Sequence, residues 1–350
     1  MIDEKDRLLL SRLQKGLSLV RQPFFALGAE IGLDAADVLL RIERLKREGF
    51  LSGIKAFWDP RAFCYQSAWV AMRFDPDEFD RKTEIIGAHP GVIYSAEREH
   101  ELNFWFFIMV PPGHDPALHV QILEKQTTPK MNLFLPMRQL LKGVDLLHSL
   151  DERTYDERSE YVLRNQVAGK VELSLNELRV VRLMQDDFLI TDEPYRRIAE
   201  EMGVSEGTLF DLLNGLIRKG QLKRIGTYSF AKKNNTEPKT LVVWKIPGEK
   251  LEKIAGVFKA IPEVLYADQR LSHEELPYSV YTLIKAKDPE ALEALVKNIE
   301  NEIGKWPYKI IHLGREIKKS PVKYFPKEFE SWWVKNRIWA DETLITGRRP

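Results

Sequence analysis

The chain repeats itself. Gly32–Ile54, GLDAADVLLRIERLKREGFLSGI, aligns without gaps on Gly203–Ile225, GVSEGTLFDLLNGLIRKGQLKRI, at a constant offset of about 171 residues. The register keeps Gly32 over Gly203, Leu45 over Leu216, Gly49 over Gly220, Leu51 over Leu222 and Ile54 over Ile225. Upstream, Pro23-Phe24 falls on Pro194-Tyr195. Downstream, His89–Ser95 falls on Ile261–Ala267 after a slip of about one residue. Any fold for this sequence must be built from two equivalent units in tandem.

Each unit reads the same way. Asp3–Gln14 and Leu175–Gln185 carry apolar residues at helical spacing. Pro23 and Pro194 suit the first turn of a second helix, where no N–H is needed. Asp34 and Ser205 are N-caps of a third helix, and Gly49 and Gly220 supply its left-handed C′ position. A short strand pair around Leu51–Trp58, and another around Leu222–Phe230, would complete a winged helix-turn-helix in each copy.

After each wing the period shortens. Strands are expected at Ser67–Phe74, Gly91–Arg98 and Asn103–Val110, with helices at Asp77–Ala88 and Pro116–Gln126. The second copy offers strands Thr240–Ile246, Glu263–Arg270 and Tyr278–Ala286, helices Lys250–Ala260 and Pro289–Ile303, and a last strand Tyr308–Arg315. That is the βαββαβ order of a ferredoxin-like sandwich. The expected class is α+β: a tandem duplication of winged helix-turn-helix plus ferredoxin-like sandwich. Its segments are 1–60 and 174–231 for the helix-turn-helix units, and 61–148 and 232–320 for the sandwiches. Residues 149–173 join the halves, and the charged Asp151–Glu172 reads as a linker or an exposed helix. The tail 321–350 carries Tyr324, Phe325, Phe329, Trp332 and Trp333, too many aromatics to leave in water, so it should pack on the rest.

Composition narrows the partners. A 44% hydrophobic, 30% charged chain with one cysteine, Cys64, suits a soluble globular protein without disulfides or a cysteine metal site. There is no long apolar run for a membrane span, and the start MIDEKDRLLL is unlike a secretory signal, so a cytoplasmic protein is expected. The net charge of +1 gives no basic excess for nucleic acid. The third helices open on Asp34-Ala35-Ala36-Asp37 and Ser205-Glu206-Gly207-Thr208, where carboxylates would repel phosphates. The basic cluster Arg41, Arg44, Lys46 and Arg47 comes late and suits a solvated face.

The segment richest in chemistry is Tyr94–Phe106, YSAEREHELNFWF. A single histidine between strands is more often a hydrogen-bonded or surface residue than a ligand, and a single Arg98 would be a solvated strand end. The second copy, however, reads ADQRLSHEELPYSVY over Ala267–Tyr281. Arg270 recurs over Arg98, and His273 over His100 once the turn is allowed a short insertion. His89, His114 and His119 have no such counterpart and read as structural or surface residues.

On these residues the sequence resembles the siroheme decarboxylases of the wider Lrp/AsnC group. The segments that carry the resemblance are Arg98-x-His100-Glu101-x-Asn103-x-Trp105-Phe106, Phe57-Trp58-Asp59-Pro60, Ala88-His89-Pro90-Gly91-Val92, Leu276-Pro277-Tyr278, and Gly314–Lys319 with Tyr324-Phe325. The resemblance spans nearly the whole chain and implies an Lrp/AsnC-type sandwich. It implies non-oxidative loss of the C12 and C18 acetate carboxyl groups of siroheme, giving 12,18-didecarboxysiroheme for haem or haem d1 synthesis. Siroheme and that product are then the partners, with no cofactor beyond the iron of the substrate. Family subunits pair as related chains; here both would lie in one chain as an intramolecular pseudo-dimer, with further homo-oligomerisation open.

The resemblance also implies roles. His100, His273, Arg98 and Arg270 are the catalytic candidates, with His100 or His273 as a possible axial ligand of the siroheme iron and the other giving a proton. Siroheme carries eight carboxylates, so Arg98, Arg270, Arg138, Arg315, Lys318 and Lys319 are candidate clamps. Asn103, Trp105, Phe104, Tyr278 and Tyr281 would line an apolar slot for the macrocycle. Arg315, Lys318 and Lys319 have a plainer reading as an exposed strand end, and one of Trp105 and Phe106 as core. Leu102, Leu276 and Ser279 depart from the family's usual Tyr, Trp and Asn, so the second site is expected to act differently or to support the first. The competing readings are an Lrp/AsnC-type ligand-sensing transcriptional regulator and a tetrapyrrole carrier without activity.

Overall fold

A computed structural model describes residues 2–143, 171–227 and 238–340. The joining segment 149–173 falls almost wholly outside the described residues, as do 228–230 of the second wing and the end of the tail. The chain divides into two compact units that cut across the sequence repeat. One collects residues 2–64, 171–227 and 323–325, and the other 65–143, 238–322 and 326–340.

The first unit holds both helix-turn-helix copies. Helices α1 (Glu4–Lys15), α2 (Pro23–Ile31) and α3 (Ala35–Arg47) recur as α6 (Leu175–Leu183), α7 (Pro194–Met202) and α8 (Glu206–Arg218). The cap chemistry read from sequence holds: Asp34 accepts from the Asp37 N–H at 2.7 Å, and Ser205 from Thr208 at 3.1 Å. Gly49 and Gly220 take φ of +79° and +71°. The wings differ from expectation. Among the described residues each copy contributes one strand, β1 (Lys55–Trp58) and β7 (Leu222–Gly226), and these pair antiparallel with each other, Ala56 opposite Ile225. Two members of the basic cluster on α3 are taken up by carboxylates of α1 and its cap. Arg41 reaches Asp3 at 2.7 Å and Asp6 at 2.8 Å, and Arg44 reaches the fully buried Asp6 at 2.5 Å.

The second unit holds both sandwiches. Its first-copy elements are β2 (Gln66–Arg73), α4 (Phe79–Gly87), β3 (Val92–Arg98), β4 (Phe104–Val110), α5 (Pro116–Thr127), β5 (Met131–Leu135) and β6 (Met137–Lys142). The second copy gives β8 (Lys239–Trp244), α9 (Leu251–Ala260), β9 (Val264–Arg270), β10 (Val280–Lys285), α10 (Pro289–Ile303) and β11 (Tyr308–Lys319). The strand order is β5-β2-β4-β3-β11-β8-β10-β9-β6. Its two ends, β5 and β6, are separated in the chain only by Pro136, which has no N–H for the ladder. The sheet therefore closes into a barrel, with β5–β6 acting as one strand.

Closure works by exchange. The first part of β11, Tyr308–His312, pairs with β8 of its own copy, and the remainder, Leu313–Lys319, pairs with β3 of the other. β5 and β6 mirror this, pairing with β2 of their own copy and β9 of the other. Strands β5 and β6 and the extension Glu316–Lys319 lie outside the strands expected from the sequence. Alternation gives each strand one face toward the helices of its own copy and one toward the barrel interior, so there are two helix-side cores. Phe104, Phe106, Ile108 and Val110 of β4 point to α4 and α5 in one helix-side core. Trp244, Val280 and Ile284 join α9 and α10 in the other.

The aromatic tail is placed as well. Tyr324 and Phe325 stack on Phe63 in the helical unit, ring centroids 5.3 and 5.4 Å away. In the barrel unit, α11 (Lys327–Asn336) lays Phe329, Trp332 and Trp333 over three histidines. These form a directed chain. The Gly91 N–H donates to His89 Nδ1 at 2.9 Å, so His89 carries its proton on Nε2 and offers it to His119 Nδ1 at 3.0 Å. His119 Nε2 then faces His114 Nδ1 at 3.2 Å, and His114 Nε2 faces Glu330 of α11 at 3.8 Å. His89 and His119 are fully buried and His114 is partly exposed, all three packed under α11.

Burial holds His89 well below the usual histidine range, with the charges of His119, Lys318 and His114 adding to it. Burial, and then His114, pushes His119 down to about 3. Burial also lowers His114, against the pull of Glu330. Lowered folded pKa values mean that the docked helix is fully stable above the unfolded value of 6.5 and loses stability as pH falls below it. By pH 5, His119 alone should withdraw about 2 kcal/mol. We expect Trp332 and Trp333 fluorescence and the melting temperature to be flat above pH 7 and to fall together below about 6.5. A melting temperature unchanged down to pH 5 would refute this account of α11.

Candidate active site

Inside the barrel the strands bring the two repeated arginines together. Trp69, Arg98, Trp105, Leu241, Arg270, Leu283 and Leu313 enclose one cavity. They come from strands of both copies, as expected for an eight-stranded barrel whose interior is just filled by side chains. The space is about 10 Å³, room for about one water. As it stands the interior admits no macrocycle.

Arg98 and Arg270 are 4% and 1% exposed. Arg270 Nε sits 2.9 Å from Asp268 Oδ2, and its guanidinium lies over the rings of Tyr281 at 4.2 Å and Trp69 at 5.1 Å. Arg98 donates Nη1 to the carbonyl of Glu97 at 2.8 Å. Burial lowers its pKa, the positive charge of Arg270 adds to that, and Tyr94 and Glu316 oppose it. The buried Asp268 carboxylate thus pairs with Arg270, while Arg98 is held by its own strand. Among the described residues, Arg270 Nη1 and Nη2, Arg98 Nε and the Tyr281 hydroxyl lack hydrogen-bond partners. Unpaired buried donors of this kind cost about 1–3 kcal/mol each, so the interior is prepared for an anion.

The two turn histidines differ. His100 Nδ1 accepts from the Leu102 N–H at 3.0 Å, which leaves the proton on Nε2, buried and without a partner among the described residues. Burial pushes His100 down to about 4, Lys309 adds to this, and Glu101 opposes it. The imidazole is therefore neutral at pH 7, not near its midpoint. His273 lies on the longer second turn, where Nε2 meets the Phe134 carbonyl at 2.9 Å. A carbonyl only accepts, so His273 holds its proton there and keeps the lone pair on Nδ1. Neither histidine lines the cavity.

The remaining candidates separate. Trp105 and Tyr281 are buried, 6.2 Å apart between ring centroids, with the Trp105 N–H held by the Leu102 carbonyl at 2.8 Å. Phe104 and Phe106 belong to the helix-side core, so Phe104 is no slot residue. Asn103 is fixed to the Phe74 backbone, accepting its N–H and donating to its carbonyl, both at 3.0 Å. Lys318 is half-buried and donates to the carbonyls of Gly87 at 2.6 Å and His89 at 3.3 Å, which ties down a turn. Arg315 is exposed and pairs with Asp80 at 2.5 Å and Glu97 at 3.6 Å. Arg138 and Lys319 are exposed, and Tyr278 is half-buried in the second turn. The sequence reading missed Asp268, Tyr266 and Trp69. The first two were visible in the repeat, where Tyr266 falls on Tyr94 and a carboxylate replaces Ala96 at a buried strand position.

Comparison with known proteins agrees with the repeat. The family described as siroheme decarboxylase NirDL-like HTH domain matches twice, at residues 6–51 and 177–222. The AsnC-like ligand binding domain matches residues 237–318. The siroheme decarboxylase of Hydrogenobacter thermophilus is 28% identical over 327 residues, 93% of this chain and 96% of that protein. The siroheme decarboxylase NirG subunit of Paracoccus pantotrophus is 31% identical over 142 residues, 41% of this chain and 90% of the subunit. The crystal structure of the siroheme decarboxylase NirDL in complex with an iron-uroporphyrin III analogue superposes with a TM-score of 0.79 at 26% identity, covering 96% of this chain and 99% of that one.

The His100 geometry makes its own prediction. Imidazole nitrogen NMR of the ligand-free protein should show His100 as the Nε2–H tautomer with a midpoint near 4. A midpoint at or above 6 would show that the turn does not bury the ring as described.

Proposed function

The chain belongs to the siroheme decarboxylase family, and from that premise we propose that it is a carboxy-lyase removing the C12 and C18 acetate carboxyl groups of siroheme. The product would be 12,18-didecarboxysiroheme, an intermediate for haem or haem d1. The observation that carries this reading is the pair Arg98 and Arg270, buried among aromatic rings with guanidinium N–H groups left for an anion. An octacarboxylate macrocycle calls for such groups. The interior must open to receive more than a carboxylate.

The chemistry is balanced without a redox partner. The bond between the acetate methylene and its carboxyl carbon breaks, CO2 leaves, the electron pair stays on the methylene, and a proton arrives there to form methyl. No cofactor beyond the iron of the substrate is required. The residues suggest how the two histidines divide the work. Substrate carboxylates near His100 would raise its pKa from about 4 toward neutrality, so that the ring becomes a proton donor when substrate is present. His273 keeps its Nδ1 lone pair free and is the better axial ligand for the substrate iron. Using His100 Nε2 as a ligand would first require moving its proton and giving up the Leu102 N–H.

A ligand-sensing regulator has less support, because Arg41 and Arg44 of α3 are held by Asp3 and Asp6. Both copies that complete the barrel lie in one chain, so the pseudo-dimer is intramolecular. No helix among the described residues is long and apolar enough to cross a membrane.

Anaerobic incubation of purified protein with siroheme should release CO2 and shift the product mass by two carboxyl groups. Unchanged siroheme after prolonged incubation would defeat the proposal. His100→Ala should lower kcat by about 100-fold. His273→Ala should alter the absorption spectrum of the bound substrate. Wild-type behaviour in both variants would reject the assigned roles while leaving the family intact.

A further inference from the structure

Asp268 has no counterpart in the first copy, where Ala96 occupies its place. It is fully buried and takes one edge of Arg270, with Nε 3.1 Å from Oδ1 and 2.9 Å from Oδ2. The Tyr266 hydroxyl donates to Oδ2 at 2.9 Å and fixes the carboxylate in turn. The guanidinium faces are covered by Tyr281 and Trp69. With the Nε edge and a face occupied, the terminal edge remains. Its Nη1 and Nη2 are both buried and have no partner among the described residues. Two N–H groups on one edge match one carboxylate. Arg98 lacks this arrangement, since its Nη1 is held by its own strand.

We propose that Asp268, held by Tyr266, is a positioning residue that turns Arg270 into an end-on receptor for a single carboxylate of the tetrapyrrole. This rests on the siroheme reading above. Charge agrees with this: among the described residues lining the interior, Arg98 and Arg270 against Asp268 leave an excess positive charge that a carboxylate would offset. The cavity beside Trp105 and Leu313 would take the carboxylate head, with small side-chain shifts to widen it.

The test uses the full chain, siroheme turnover and iron-uroporphyrin III titrated by its absorbance. Asp268→Asn should raise both the KM for siroheme and the Kd for iron-uroporphyrin III about tenfold while kcat changes less than about twofold. Asp268→Glu should recover part of the loss. Arg270→Lys, which keeps the charge and loses the fork, should raise the Kd at least as much. Formate, a free one-carbon carboxylate, should weaken iron-uroporphyrin III binding to wild type and have no such effect on Arg270→Lys. If Asp268→Asn fails to fold, Tyr266→Phe carries the same test with a smaller rise in KM. Wild-type KM and Kd in these variants, or no effect of formate on wild type, would overturn the proposal. A wild-type protein that leaves siroheme unchanged would instead overturn the reading beneath it.

Discussion

The structure depends on closing a sheet that neither copy can close alone. Each sandwich ends in a strand that serves its own copy for its first half and the other copy for its second. The exposed edges that a single βαββαβ unit would leave are removed by this exchange. Covalent linkage keeps the exchanging partner always at hand, which is the effect of a high local concentration. It also makes the interior a composite: the cavity is lined from both copies, so Arg98 and Arg270 meet because the barrel closes.

Closure in turn sets the electrostatics. An eight-stranded barrel leaves space for side chains and little else, so charges that point inward are stripped of water. Asp268 neutralises one of the two guanidinium groups, and the aromatic rings of Trp69 and Tyr281 cover what an open site would hydrate. The excess positive charge and the unpaired N–H groups are costs to the empty protein. An anionic ligand relieves both, so binding and stability are coupled in this interior.

Much of this was legible in the sequence, and the limits have physical causes. Asp34, Ser205, Gly49 and Gly220 act within one turn of the chain, so their roles as caps follow from local chemistry. The recurrence of Arg98 as Arg270 located the interior because both copies must supply an inward residue at that strand position. Strand exchange was not legible. The residues of β6 look like any amphipathic strand, and nothing local says that Met137 pairs with Arg270 of the other copy. The contacts of Lys318 were hidden for a similar reason. A lysine on a basic strand end suggests a clamp, and its Nζ meets the carbonyls of a turn brought near only by exchange, as Lys142 does for Ile261 in the other half.

The asymmetry of the copies also takes on a different meaning. Ser279 in place of Asn103 looked like a change in substrate binding. Both side chains instead tie the start of a strand to the end of its neighbour in the sheet, Asn103 to Phe74 and Ser279 to the Ile246 carbonyl at 2.7 Å. In this structure the two residues do the same anchoring with different groups. The differences that matter chemically lie at Ala96 against Asp268, and at the partners of the two histidines. Asp268 restrains one arginine and leaves the other to its own backbone. The Leu102 N–H and the Phe134 carbonyl place the histidine protons so that His100 presents a donor and His273 a lone pair. A duplicated scaffold that keeps Arg and His twice, but surrounds each with different partners, can hold one substrate at two kinds of contact. Two equivalent contacts could only bind it twice the same way.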